Sequence, residues 1–490
     1  MLRRGCRPPR HPLLAVIALL AAVEVASGVI QGYYGPVMVD IAHDLDVRYA
    51  DLNWLEAAQL IFSALVVPPL ARLGDLVGHR RVLVAATAVV AVATWGIAFA
   101  PSFPVMLVAW TLQGTYVVWL PIEVAIIHRR TAGRPDQGRP DQGRVTRRVA
   151  AILVATLELS VIVAALLAGQ LAERVSLTTM LVLPAVVVTL CVPLLALLEE
   201  VPGIPGGRFD WGGLGLMALA VLAVLGGLVL IRLDGVASVP AWLLVVAGLA
   251  VLVPWWRYER GHPDPLVDVR LLAHPAQWSV QATAFLVGMS LLGAQVPLST
   301  YFRSDPAVHG YGFGLTAAQG SARVAFYVAF LAIGALTLGP VSRFLGARRA
   351  MVTGCVVYAI GYAAWLPLHA SPGAAWGVMA VIGLGTGGLV AAIPAAAAAV
   401  APAGRVGSAT GLTNASKTIG GGIASSVFAL CLASTGSLKV DGGSLAGYYA
   451  VWSICAASGL VAALVLALTA RRSAVVLSAE PAGPARSPSR

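Results

Sequence analysis

The chain carries one short pattern twice, ARLGDLVGHRR at 71–81 and GPVSRFLGARR at 339–349. Each copy follows an apolar run, has glycine at the same place (Gly78, Gly346) and closes on Arg-Arg, with matching positions 268 residues apart. Between two apolar runs, such a pattern reads as a tight connection at a membrane face: glycine permits the turn and the arginines hold it in water. Two six-helix halves alone need an offset of about 200 residues. The surplus therefore predicts two additional spans between them. Repeated six-helix halves are the build of a secondary transporter, with its substrate site between the halves near the bilayer midplane.

Working outward, the composition supports a chain that lives in lipid. Of 490 residues, 58% are hydrophobic and 11% charged, with mean hydropathy +0.84 and net charge +11. A soluble domain carries about 25% charged residues. No charged side chain lies between Arg349 and Arg405, from Val82 to Ile122, or from Gly442 to Ala470. Runs of this length are membrane helices, and they exceed the roughly 10-residue alternating strands of a barrel. Cutting at charge, Pro and Gly clusters predicts spans at 12–37, 54–72, 82–100, 104–126, 149–172, 176–198, 211–232, 240–257, 277–301, 315–338, 350–369, 373–399, 409–433 and 446–470. The fold class expected is an all-α polytopic membrane protein with fourteen spans.

The organisation follows: a tail at 1–11, a six-span half at 12–198, a linker at 199–210, two extra spans at 211–257, a linker at 258–276, a second six-span half at 277–470 and a basic tail at 471–490. The tail at 471–490 and the tandem segment GRPDQGRPDQGR at 133–144 lack apolar periodicity and are expected to be disordered or flexible. An even span count puts both termini on one side. That side holds nearly all the arginines, whereas the other has only Arg48, Arg174, Arg232, Arg303 and Lys439 and collects Asp40, Asp44, Asp46, Asp51, Asp234 and Asp305. The positive-inside rule makes the terminal side cytoplasmic and the location a cell membrane. Arg3 to Arg10 ahead of Leu13 to Ala22 also fits a signal peptide, but the apolar run continues past Glu24 to Val39. Five cysteines, four of them in spans, offer no disulfide framework.

The 71–81 loop is similar to the G-x-x-x-D-x-x-G-x-[RK]-[RK] motif of the major facilitator superfamily. Asp75, Gly78, Arg80 and Arg81 match, and Ala71 replaces the first glycine. Further matches resemble the fourteen-span drug:proton antiporter branch: Leu52-Asn53-Trp54, Leu112-Gln113-Gly114, Phe209-Asp210-Trp211-Gly212-Gly213, Pro265 to Leu271 and Gly407 to Gly422. The resemblance implies a gating loop, with Asp75 near the N-terminus of span 13, where the helix dipole favours a carboxylate by about 1 kcal/mol. It also implies efflux driven by inward proton flow. Three departures qualify this: Ser27 stands where the branch has Asp, Trp110 where it has Arg, and Ala165 where it has Pro, although Ser160, Ala164, Ala168 and Gly169 keep a small-residue stripe.

Other acids are candidates for the proton. Glu24 and Glu158 lie inside apolar spans, where an ionised carboxylate costs about 2.5–3.5 kcal/mol. Glu24, Ser27 and Gln31 share one helical face. Glu123, nearer the terminal side of span 4, is expected to pair with Arg80, Arg81 or Arg148 as part of the gating set. Lys417 is expected to neutralise an acid across the halves. Arg323 either pairs with an acid or snorkels outward. Gln113, Asn414, Gln295, Tyr33, Tyr34 and Trp119 can line a pocket, although the aromatic residues equally suit the membrane interface. No phosphate-binding loop, metal-ligand spacing or nucleophile constellation occurs in the sequence. Hence no cofactor, metal, nucleic-acid partner or enzymatic activity is expected. The function expected is proton-coupled efflux of a small amphipathic compound by a monomeric carrier. Uptake or facilitated diffusion is the alternative, and a non-transporting sensor would need an output domain that the chain lacks.

Overall fold

The computed structural model describes residues 13–132, 142–200, 209–235, 237–263, 265–267, 269–270, 275–399, 406–434 and 443–479. Fourteen helices are long and apolar enough to cross a membrane: α1 Leu13–Asp44, α2 Tyr49–Val77, α3 His79–Ala98, α4 Phe103–Ile127, α5 Ile152–Leu171, α6 Leu177–Ala196, α7 Trp211–Ile231, α8 Val239–Gly261, α9 Gln277–Arg303, α10 Ala317–Leu345, α11 Ala347–Leu368, α12 Pro372–Ala399, α13 Thr410–Ala433 and α14 Leu445–Thr469. The protein is a multi-pass membrane protein. The tail at 1–11, most of 133–144 and residues 480–490 lie outside the described residues.

Two corrections concern boundaries. The last helix runs on to Ala479, through the start of the tail expected to be disordered. Its residues Ala474, Val475, Val476 and Leu477 are apolar helix formers or tolerable in a helix, so nothing breaks it before Pro481. Likewise α1 does not stop at 37. Pro36 forces a 3-10 turn over Gly35–Val37, and the helix resumes as Met38–Asp44.

Two large apolar cores organise the bundle. One draws on α1 to α6 and includes Leu20, Ile41, Leu83, Trp119 and Val188. The other draws mainly on α9 to α14 and includes Tyr301, Tyr358, Trp365, Phe428 and Tyr448. The α7–α8 pair packs through Met217 and Trp255 against Leu65 of α2 and Val269 of the following connection. Within the first core α1 and α5 approach very closely. A side chain at Gly28 would strike Ser160 and the Leu157 carbonyl, and one at Gly32 the backbone of Val161, so only glycine admits this spacing.

Three spans are broken at membrane depth. α1 breaks at 34–37, α4 at the 3-10 turn Gly114–Val118, and α9 between Leu291 and Gln295. A break frees carbonyls that lipid cannot satisfy, so they must face protein or a water-filled cavity. Side chains meet them here: Ser299 donates to the Gly35 carbonyl, the Gln59 amide to the Trp110 carbonyl at 3.3 Å, and the Ser63 hydroxyl to the Gly114 carbonyl at 2.8 Å.

Candidate functional site between the halves

The three breaks surround one cavity of about 70 Å³, room for several waters. Its wall combines Gln31, Tyr34, Glu56, Gln59, Trp110, Gln113 and Tyr116 from the first half with Leu292, Gln295 and Ser299 from the second. Gln113 is fully engaged: its amide donates to the Tyr34 hydroxyl and the Thr94 hydroxyl, both at 3.1 Å, and its carbonyl accepts from Gln59 at 3.2 Å. It therefore positions the wall rather than offering free valences. Gln31 is exposed and donates to Ser27 at 3.1 Å, and the Tyr34 and Trp110 rings pack 4.7 Å apart. Trp110 thus fills the place where the resemblance implies an arginine. Glu56, 9% exposed, is a site residue that sequence reading missed. It lies near the start of the span predicted at 54–72, where its sequence position did not single it out.

The halves are joined on the face opposite the termini. Arg303 of α9 forms a two-pronged ion pair with Asp40 of α1 and donates to the Pro36 carbonyl at 2.8 Å. Ser425 of α13 donates to the Asn53 carbonyl at 2.9 Å. Gly169 of α5 packs directly on Ser321 of α10. Nearer the terminal face, Glu158 of α5 and Lys417 of α13 face each other across the halves, both half-buried. Asn414 lies one turn before Lys417, also half-buried. The contacts of Arg303, Ser425 and Gly169 therefore close the interior on the face opposite the termini.

Glu123 does not join the arginines of the gating loop. Its carboxyl and that of Glu24 lie beside each other between α1 and α4, both fully buried and neither hydrogen-bonded elsewhere. Arg80 instead donates to the Ala196 carbonyl at 2.7 Å. Glu200 accepts the backbone N–H groups of Arg80 and Arg81, each at 3.1 Å, and so caps α3. Helix packing turns Glu123 inward, and Glu200 takes the partners expected for it. Arg148 has a side chain outside the described residues.

The gating loop turns at Gly78, whose φ of 112° needs glycine. Asp75 accepts from Arg129 of the helix that continues α4 at 2.7 Å and lies 3.4 Å from His79. Its partners are therefore within its own half, while residues 400–405 ahead of the helix containing α13 lie outside the described residues. In the second copy Arg343 takes the place of Asp75, and Arg348 donates to the Leu466 carbonyl at 2.7 Å. Arg323 meets neither expectation. Its guanidinium lies over the Trp376 ring at 4.9 Å and reaches the Gln319 carbonyl at 3.3 Å, because α10 and α12 bring an aromatic face, not an acid, to it.

The sequence profile of the Major Facilitator Superfamily matches residues 20–425 and 278–488. The chain belongs to the major facilitator superfamily. As a superfamily member it is 23% identical to the uridine/deoxyuridine transporter of Lactococcus lactis subsp. cremoris over 343 residues, covering 68% of each chain. It is also 31% identical over 94 residues to the uncharacterized MFS-type transporter YwoD of Bacillus subtilis, covering 18% of this chain and 21% of that one. Among solved structures, nucleoside transporter NupG aligns with TM-score 0.62 at 13% identity, over 94% of this chain and 98% of that one. An auto-inhibited POT family peptide transporter aligns with TM-score 0.64 at 17% identity, over 97% and 99%. At such identities the structures establish the fold. The protein is a transporter of the major facilitator type. Assignment to the drug:proton antiporter branch does not follow from these relatives.

Proposed function

We propose that this carrier moves a small polar solute with a flat hydrogen-bonding ring, a nucleoside in chemical class, together with protons, into the cell. The observation that carries the substrate class is the cavity wall, where the Gln31 and Gln295 amides stand beside Tyr34, Trp110 and Tyr116. A primary amide offers a donor and an acceptor side by side, as a base edge requires, and aromatic faces stack on a ring. The kinship with a uridine/deoxyuridine transporter supports the same class.

Coupling is assigned to the Glu24–Glu123 pair and to Glu158 with Lys417. Glu24 and Glu123 do not line the cavity. A proton held there and a solute held in the cavity can be bound at once, which suits symport; an exchanger needs the two to compete. Efflux of an amphipathic compound, the expectation from motif resemblance, has less chemical basis with Ser27 and Trp110 in place of the charged pair. Arginine placement supports a reading with both termini in the cytoplasm and with one chain as the unit of transport, rocking its halves 12–198 and 277–470 around the cavity.

The test is entry of labelled uridine into proteoliposomes. An inward proton gradient is expected to accelerate it, and other nucleosides are expected to compete. Absence of entry for every nucleoside sinks the substrate class, and gradient-driven exit in place of entry sinks symport.

A further inference from the structure

The cavity between the halves holds one charged group, and the chemistry assigned above leaves it unused. Glu56 of α2 is the sole acid on the described wall, and no basic side chain joins it there. It is 9% exposed, and its carboxyl has neither a hydrogen bond nor an ion pair among the described residues. Glu24 and Glu123 are closed off from the cavity, whereas Glu56 opens onto it. The Tyr116 hydroxyl lies near enough to feel its charge without donating to it.

The polar groups around Glu56 sort by what they still offer. Gln59 follows three positions later on the same helical face. Both of its N–H groups are spent, on the Trp110 carbonyl at 3.3 Å and on Gln113 Oε1 at 3.2 Å, so its own carbonyl oxygen is left as an acceptor. Ser299, from the second half, spends its proton on the Gly35 carbonyl and can only accept. The α2 side of the wall thus presents a carboxylate and a carbonyl, which only a donor-rich group can face. A base edge does not fit there, because its carbonyl oxygens would meet like partners. Two adjacent hydroxyls do fit: each donates to one carboxylate oxygen, and a hydrogen bond to an ionised acceptor is roughly twice as strong as a neutral one.

We propose that Glu56 is the sugar-recognising residue of the cavity, its two oxygens accepting the vicinal hydroxyls of a ribose with the Gln59 carbonyl beside them. The assignment rests on the nucleoside reading above and refines it. Gln31 and Gln295 each spend one N–H, on Ser27 at 3.1 Å and on the Leu291 carbonyl at 3.4 Å, and each keeps a donor and an acceptor for the base. Recognition is therefore divided: mixed donors and acceptors read the base, and acceptors alone read the sugar. A missing hydroxyl leaves a buried carboxylate oxygen unpaired, so the solute without it is penalised. Glu56 acts in specificity, and coupling stays with the acids outside the cavity.

Inhibition of labelled uridine entry into proteoliposomes tests this with three unlabelled competitors: uridine, deoxyuridine, which lacks one of the paired hydroxyls, and dideoxyuridine, which lacks both. For the unaltered protein the half-inhibiting concentration is expected to rise about fivefold and then about thirtyfold along the series. In Glu56→Gln the spread is expected to shrink to about threefold, while entry of labelled dideoxyuridine, which makes no contact with Glu56, stays within about twofold of the unaltered protein. An unaltered protein that takes up uridine without distinguishing the three overturns the assignment and leaves the nucleoside reading standing. So does a variant that keeps the full spread, or one that loses uridine and dideoxyuridine entry equally, as loss of a coupling or folding residue would. Entry of no nucleoside removes both readings. Should Glu56→Gln fail to assemble, Glu56→Asp, which keeps the charge and draws it back by a methylene, is expected to narrow the spread to about tenfold, and an unchanged spread overturns the assignment.

Discussion

The two halves share an architecture and differ in chemistry. In the first, α1 to α5 bury Glu24, Glu56 and Glu123 and half-bury Glu158. In the second, no Asp or Glu lies anywhere in α9 to α14, and the interior bases are Arg323 and Lys417. That half is built instead around aromatic rings: Tyr301 lies 5.0 Å from Tyr448, 5.1 Å from Trp452 and 6.1 Å from Trp365, and the Tyr448 hydroxyl meets Thr300 at 2.8 Å. Carboxyl titration at membrane depth is therefore a property of one half. The other half contributes a stiff wall and one base aimed across the divide.

The strongest way to break this contrast is to move an acid across it. Glu158→Lys or Lys417→Glu alone sets like charges face to face and is expected to lower transport about a hundredfold. The double exchange is expected to recover activity to within about tenfold. Initial uptake rates of the three variants decide it, and an inactive double exchange with normal folding shows that the pair does more than attract.

Next in size is the buried carboxyl pair. Glu24→Gln together with Glu123→Gln is expected to cut gradient-driven uptake by about thirtyfold, while solute exchange without a gradient stays within about twofold. Equal loss in both assays places the pair in solute binding or folding rather than coupling.

A smaller effect is expected at the seal. Asp40 is 38% exposed at its side chain, so its pair with Arg303 is partly screened. Asp40→Asn is expected to raise the labelling rate of Gln295→Cys from the face opposite the termini by about threefold. An unchanged rate moves the seal to Ser425, Gly169 and their partners.

The smallest expected effect lies in the second half itself. Trp376→Leu removes the ring beneath Arg323 and is expected to cost about 0.5–1 kcal/mol, read as a fall of about 1 °C in the thermal midpoint with transport unchanged. A large loss of transport would give Arg323 a role beyond packing.

The number and order of the spans were legible because lipid tolerates so few charges that uncharged runs stand out in the chain. Glu24 and Glu158 were legible for the same reason, as exceptions. Glu123 was misread because its distance from Arg129 along the chain suggests a helix end in water, whereas α1 packed on α4 turns it toward Glu24. Glu56 was missed although it lies in the predicted span 54–72, because a carboxylate two positions inside a helix end looks no different in sequence from one that faces water. The helix breaks were partly visible as Pro36, Gly114 and Gly293, but a glycine inside an apolar run is common in membrane helices and does not by itself mark a break.

Sequence alone thus determined that this protein crosses the membrane fourteen times, as two related halves with a pair inserted between them. Hydrophobicity is a sum over consecutive residues, and a repeat survives as local pattern. Only the tertiary structure decided which buried charges meet. Glu24 with Glu123 and Glu158 with Lys417 are separated by 99 and 259 positions. What joins them is the rotation of each helix about its own axis, which packing against its neighbours sets and no local stretch encodes.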